Sequence, residues 1–267
     1  MRERGLYRET FGRGPDLVMV HGWGMHSGIW RDFAETLAEK VRVTLVDLPG
    51  HGRSANIADF SAAGLADALL TIAPECAHWL GWSLGTLPVL HIADQCPNRV
   101  KSTIVVAGNV RFTSDSTTGG TESGWPGVEP ALLAQFASDL EANYAGTIRR
   151  FLGLQTFGME DAKGLVKELS ARVAACEPPD PAALRGGLEL LRQADLRGAW
   201  RRMNVPSLVI LGARDRLVPK SAGVSMRALN PRSELHVIGG AAHLPFLTHP
   251  AETASLITEF IARHERR

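Results

Sequence analysis

The 267-residue sequence predicts an α/β fold: a mostly parallel sheet flanked by helices, with one inserted helical segment. Three observations predict it. Short apolar runs at about residues 17–20, 41–47, 76–82 and 101–107 alternate with helical stretches, which is the rhythm of βαβ units. That rhythm stops after Ala107 and resumes with strands at about 205–212 and 235–238, so a single sheet is interrupted and later completed. Residues 111–187 carry Gly, Thr, Ser and Pro clusters followed by helical patterns, with no convincing strand. The expected organisation is a core of residues 1–110 and 188–267 with a helical cap, or lid, of residues 111–187. Length and a 45% hydrophobic content suit one large domain.

Taken in order, the elements deliver candidate chemistry to one sheet edge. Met1 to Gly5 lead into a polar strand, with no signal-peptide core. The strand at 17–20 ends in His21-Gly22-Trp23-Gly24, a turn whose glycines let backbone approach a ligand closely. The strand at 41–47 leaves through the turn-rich loop Asp47-Leu48-Pro49-Gly50-His51-Gly52-Arg53-Ser54. The strand at 76–82 runs into Gly81-Trp82-Ser83-Leu84-Gly85, a G-x-S-x-G pentapeptide between strand and helix. That is the context of a nucleophile elbow, where a strained turn lifts a serine hydroxyl clear of the sheet. In the insertion, Leu132, Phe136, Leu140, Tyr144, Ile148 and Leu152 recur every fourth residue and share one broad helix face. Most of that stripe packs the insertion on the core, and a lid must also line an acyl pocket. After the insertion, the strand at 205–212 is followed by a loop holding Asp215, and the strand at 235–238 by a loop holding His243.

A serine hydroxyl becomes nucleophilic when a histidine takes its proton and a carboxylate fixes that histidine's tautomer. Ser83, Asp215 and His243 follow the chain order serine, acid, histidine that this arrangement requires. The N–H groups of Trp23 and of Leu84, the residue after the serine, are the candidate oxyanion donors. Each element also has a plain structural reading. Gly81 and Gly85 serve close strand–helix packing, Asp215 caps a turn, and His243 is a satisfied loop histidine. Joint order and spacing favour the triad. His21 and His51 lie beside the site as supporting groups, while His26, His78, His91, His236, His249 and His264 are ordinary surface or packing residues.

Composition narrows the function classes. With 29 Lys plus Arg against 28 Asp plus Glu, no global field draws the chain to nucleic acid or an anionic membrane. No apolar run approaches bilayer-spanning length, and a soluble cytoplasmic monomer is expected. Cys76, Cys96 and Cys176 are widely spaced, which suits reduced thiols and matches no metal motif; neither a metal nor a cofactor is expected.

These motifs resemble the α/β-hydrolase superfamily. Within it, Trp79-Leu80-Gly81-Trp82-Ser83-Leu84-Gly85, Arg150-Phe151-Leu152 with Leu154-Gln155-Thr156, Gly186-Gly187-Leu188-Glu189, and Ala241-Ala242-His243 with Pro245-Phe246 and His249-Pro250 are similar to the pimeloyl-carrier-protein methyl ester esterases of biotin synthesis. Thr86, where that family usually has a second glycine, and Leu244, in place of a small residue, depart from the pattern. Both are expected to narrow the pocket near the ester.

The resemblance implies hydrolysis of a methyl ester on a pimeloyl chain linked by thioester to acyl carrier protein. Trp23, Ser83, Leu84, Phe151, Leu152, Leu154, Gln155 and His243 would contact substrate. An acidic carrier calls for basic docking residues. Residues 111–187 hold 7 Lys plus Arg against 10 Asp plus Glu, but Arg149, Arg150, Lys163 and Lys167 form a local basic stretch. Lys163 and Lys167 lie one helical turn apart. A solvated helix face is the alternative. The competing functions are a broad carboxylesterase or carbon–carbon bond hydrolase acting on small free substrates, and a catalytically silent ligand-binding member of the fold.

Overall fold

A computed structural model of the chain describes residues 5–115, 124–157 and 159–265. The expectation for Met1 to Arg4 falls outside these residues. Seven strands form one sheet: β1 (Arg8–Gly12), β2 (Asp16–Val20), β3 (Arg42–Val46), β4 (Ala77–Trp82), β5 (Val100–Val106), β6 (Ser207–Gly212) and β7 (Glu234–Ile238). Their spatial order is β1-β3-β2-β4-β5-β6-β7, and only β1 runs antiparallel to its neighbour. The central strands are covered on both faces, which is why β4 and β6 are buried along their whole length and read as continuous apolar runs.

The helices of the core are α1 (Arg31–Ala38), α2 (Ala62–Leu70) and α3 (Thr86–Gln95), which precede the insertion, and four more that follow it. Inserted between β5 and β6 are α4 (Pro130–Ala142), α5 (Tyr144–Gln155), α6 (Ala162–Val173) and α7 (Pro181–Gln193). The core then continues through α8 (Arg197–Arg202), α9 (Lys220–Leu229), α10 (Pro245–Thr248) and α11 (Pro250–Glu265). Asp180 caps α7 through the amides of Ala182 and Ala183, and Pro181 sits in its first turn, where a missing N–H costs nothing. The helix runs past residue 187, so the boundary expected there falls within one continuous element.

The apolar stripe of the insertion is not on one helix. Asn143 leaves helical geometry (φ −155°, ψ 82°), and its side chain accepts from the Gly146 amide 2.9 Å away, closing α4 and starting α5. Leu132, Phe136 and Leu140 therefore belong to α4, and Tyr144, Ile148 and Leu152 to α5. Leu132 is exposed at 37%, and its neighbour Leu133 is buried in its place. Fourfold spacing across a capping residue cannot reveal that the helix restarts.

At the foot of the sheet, His78 is fully buried, with Nδ1 2.7 Å from Ser102 Oγ and Nε2 2.9 Å from Glu265 Oε2. This is a packing role. Cys76, Cys96 and Cys176 are free thiols. Among the described residues, no helix is long and apolar enough to cross a membrane.

Candidate active site

Strands β2, β4, β6 and β7 are parallel, so their C-terminal ends lie at one edge of the sheet, the edge where open α/β sheets carry ligands. At the end of β4 the chain turns sharply into α3. Strain there resides in Ser83 itself, with φ +53°, a left-handed conformation that L-residues adopt at a cost of order 1–3 kcal/mol. The flanking glycines supply space. A Cβ at Gly81 would stand 2.5 Å from the Gly85 carbonyl oxygen, and one at Gly85 would stand 2.3 Å from that of Val20. Packing and turn geometry are thus one requirement here, and the two readings of these glycines merge.

Asp215 and His243 come together as the sequence expects. Asp215 Oδ2 lies 2.8 Å from His243 Nδ1, and both side chains are shielded from solvent. The other carboxylate oxygen accepts from the amides of Leu217 at 2.8 Å and Val218 at 3.0 Å, which fixes the carboxylate plane. Capping a turn and orienting a histidine are done by the two oxygens of one side chain. The histidine loop is held from both sides. Trp82 Nε1 donates to the His243 carbonyl at 3.0 Å, and the His243 amide donates to the Gln155 carbonyl at 3.3 Å.

With Nδ1 committed to Asp215, His243 Nε2 is left buried without a hydrogen-bond partner. This is the atom that a serine-activating histidine uses. No hydrogen bond joins it to Ser83 Oγ, and such bonds commonly shorten only when substrate is bound.

The His21-Gly22-Trp23-Gly24 turn packs directly on the elbow, so that a Cβ at Gly22 would lie 3.1 Å from Ser83 Cβ. Its geometry depends on His21. The Leu48 amide donates to His21 Nε2 at 2.9 Å, so the ring proton is on Nδ1, and Nδ1–H donates to the Gly22 carbonyl at 2.9 Å. Burial pushes the His21 pKa down to about 3, and the ring is neutral at physiological pH. Fixing the Gly22 carbonyl fixes the peptide plane it shares with the Trp23 N–H, which must point the opposite way. Leu84 stands at the start of a helical run, where N–H groups lack an acceptor one turn back.

Behind this turn, Asp47 accepts from the Ser27 amide at 2.7 Å, the Arg53 amide at 2.9 Å and Arg53 Nε at 3.0 Å. Burial alone would raise its pKa, but His21, the Arg53 guanidinium and the Ser27 side chain outweigh that and hold it at about 2. Sequence motifs point to this loop without revealing the network. Its signal is an Asp at a strand end six residues before an Arg. His51 is buried beside His21, with ring centroids 5.5 Å apart, and burial pushes its pKa down to about 4.

The insertion closes over the site. Trp23 meets Phe151 edge-on, with centroids 4.9 Å apart, and its Nε1 donates to the Leu184 carbonyl of α7 at 2.8 Å. A Cβ at Gly187 would lie 2.6 Å from Trp23 Cδ1 and 3.2 Å from Leu84 Cδ1, so that glycine lets α7 sit on both candidate oxyanion residues. Phe151, Leu152 and Gln155 are buried and Leu154 half-buried, and the Gln155 side-chain oxygen is buried without a partner.

The two departures are both buried. Thr86 is buried with its hydroxyl donating to the Gly81 carbonyl at 3.2 Å, and a Cβ at Gly108 would collide with it, so it fills space behind the strand ends. Leu244 is packed into the core. Of the basic stretch, Arg150 is tied to Asp139, whereas Arg149, Lys163 and Lys167 are exposed and form no ion pair among the described residues.

A family model described as "Alpha/beta hydrolase family" matches residues 17–256, and the chain belongs to that family. It is 45% identical over 258 residues to the pimeloyl-[acyl-carrier protein] methyl ester esterase of Methylococcus capsulatus, covering 97% of this chain and 99% of that one. A protein of the same name from Serratia marcescens is 40% identical over 260 residues, covering 97% and 99%. Among solved structures, an esterase from Exiguobacterium antarcticum superposes with a TM-score of 0.84 at 19% identity, covering 96% of this chain and 95% of that one. A bromoperoxidase from Bacillus anthracis gives 0.83 at 19%, with the same coverage. These two likenesses speak to the fold.

Proposed function

We propose that the chain hydrolyses the methyl ester of a pimeloyl group carried on acyl carrier protein, freeing the carboxylate for biotin synthesis. The observation that carries this reading is a near full-length similarity to esterases of that name, joined to a buried Asp215–His243 pair beside a left-handed Ser83. Ser83 Oγ attacks the ester carbonyl while His243 Nε2 takes its proton. The tetrahedral oxyanion is met by the Trp23 and Leu84 amides. Collapse expels methanol, protonated by the same imidazole, and leaves an acyl-enzyme. Water, deprotonated by His243, attacks that acyl group and releases the carboxylate, returning Ser83 to its starting state.

In this reading helices α4–α7 form the lid, and Phe151, Leu152, Leu154 and Gln155 bracket the acyl chain. Ser83 is only 5% exposed and His243 is fully buried, so substrate entry requires these helices to part from the core. The test is kcat/KM on carrier-bound pimeloyl methyl ester against free dimethyl pimelate. A strong preference for the carrier-bound ester is the expected result, and equal rates would return the broad carboxylesterase to first place.

A further inference from the structure

We propose that the Thr147 hydroxyl determines specificity for the far end of the acyl chain, donating a hydrogen bond to the substrate's second carbonyl and so selecting the chain length at which an ester reaches Ser83. The inference deepens the reading above and rests on it for the identity of that carbonyl, the thioester carbonyl of a carrier-linked pimeloyl group.

Thr147 lies in α5 with 1% exposure, and among the described residues its Oγ1 is buried without a hydrogen-bond partner. A threonine or serine hydroxyl within a helix ordinarily donates to the carbonyl three or four residues back. Thr156 does so to Leu152 and Gly153, Ser170 to Val166, and Thr258 to Ala254. At Thr147 only the backbone amide uses the Asn143 carbonyl, at 3.0 Å. The hydroxyl is left as an unused donor in an apolar face, a destabilising arrangement unless something else accepts from it.

Its position names the acceptor. Thr147, Phe151 and Gln155 are buried one turn apart on one face of α5. That stripe crosses the candidate site in order. The Gln155 carbonyl accepts the His243 amide, the Phe151 ring meets Trp23 edge-on, and Phe136 of α4 meets Phe151 from the other side. His243 must face the departing methanol to protonate it, so the leaving group lies toward Gln155. The acyl chain then runs the opposite way, past Phe151 toward Thr147.

Length agrees with direction. Six carbon–carbon bonds separate the two carbonyl carbons of a pimeloyl chain, about 7.5 Å when extended. Thr147 stands about 6 Å beyond Phe151 along the helix axis. An ester held at the Trp23 amide therefore brings its second carbonyl level with Thr147. The other unpartnered atom of the stripe, Gln155 Oε1, is an acceptor and cannot serve a carbonyl.

Two variants and a set of small esters test this. Thr147→Val keeps the side-chain shape and removes the donor, whereas Thr147→Ser keeps the donor. Methyl heptanoate matches dimethyl pimelate in acyl length but ends in a methyl where the diester has its second carbonyl. Wild type should favour the diester. Thr147→Val should lower kcat/KM about tenfold on dimethyl pimelate and on the carrier-linked ester, with methyl heptanoate unchanged. Dimethyl glutarate, whose second carbonyl stops short of Thr147, should respond to the substitution no more than methyl heptanoate does. Thr147→Ser should retain the preference, and the thermal midpoint of Thr147→Val should not fall, since an unpaired hydroxyl leaves the interior.

An equal loss on dimethyl pimelate and methyl heptanoate would mean that Thr147 only shapes the pocket, and no loss on either would mean that its hydroxyl meets no substrate atom; each overturns the proposal, and leaves the carrier reading standing if wild type still prefers the carrier-linked ester. A preference lost in Thr147→Ser as well as in Thr147→Val overturns it too, because the donor is then not what is read. A wild type that does not distinguish carrier-linked from free ester, yet loses its preference for the diester in Thr147→Val, sinks the carrier reading and supports the contact of Thr147 with a second carbonyl.

Discussion

The two sides of the candidate site are built on different principles. On the core side, backbone is pinned by buried polar bonds that leave little freedom: Ser83 in a left-handed turn, Asp215 holding His243 and two amides, His21 holding the Gly22 carbonyl. On the inserted side, ring contacts such as those of Trp23 with Phe151 and of Phe136 with Phe151 accompany seam-crossing bonds from Trp23 Nε1 to the Leu184 carbonyl and from the His243 amide to the Gln155 carbonyl. All nine histidines lie outside residues 111–187. Directional bonds fix Ser83, Asp215 and His243, while the ring packing of the inserted helices is non-directional. In the proposed function, precision falls to the first stretch of chain and access to the second.

The largest expected effect falls on the core side. Ser83→Ala should lower kcat on the order of 10⁶-fold, as removal of a triad serine does, and leave thermal unfolding unimpaired because Ala keeps the Cβ and so carries the same left-handed strain. Active-site titration with a fluorophosphonate should then show no labelled enzyme. Retention of a tenth of wild-type activity would mean the chemistry lies elsewhere.

His21→Leu is the sharper probe of the comparison, since it leaves every proposed reacting group in place. It removes the donor to the Gly22 carbonyl and the acceptor for the Leu48 amide, freeing the peptide that presents the Trp23 N–H. A loss of about 10²-fold in kcat, with KM little changed, is expected from misplacement of an oxyanion donor. A variant with wild-type kcat would show that apolar packing from α5 and α7 holds Trp23 without the histidine.

How far each side was legible in the sequence follows from the same division. Ser83, Asp215 and His243 were readable because the roles proposed for them demand particular residue types at strand ends in a set order. The closeness of Gly187 to Trp23 and Leu84 was not, since a glycine inside a helix says that something approaches but not what. Periodicity found the apolar residues of the insertion yet joined two helices into one, because the fourfold spacing continues across Asn143, whose capping role no spacing marks. The packing of Thr86 was not legible for a related reason: it rests on the room left by Gly108, 22 residues away, which no local pattern records.

The smallest predicted effect concerns acid, and it separates the two sides by titration. His51 is buried and its pKa is pushed from 6.5 down to about 4, so between those values the unfolded chain binds a proton that the folded chain does not. Stability contributed by keeping this ring neutral is fully present above pH 6.5 and declines as pH falls toward 4; from pH 7.5 to pH 5 the loss from this residue is about 2 kcal/mol. Asp47, held at about 2, remains ionised through that window and adds nothing to the change. Replacing His51 with Gln should therefore flatten the dependence of the urea midpoint on pH by roughly that amount. Hydrogen exchange at pH 5 should show lowered protection in the loops after β2 and β3, while amides of α4–α7, which contain no histidine, keep the protection of any locally governed opening. If α4–α7 lost protection in step with the core loops, the lid would open only with the core, and the division of labour between the two sides would not hold.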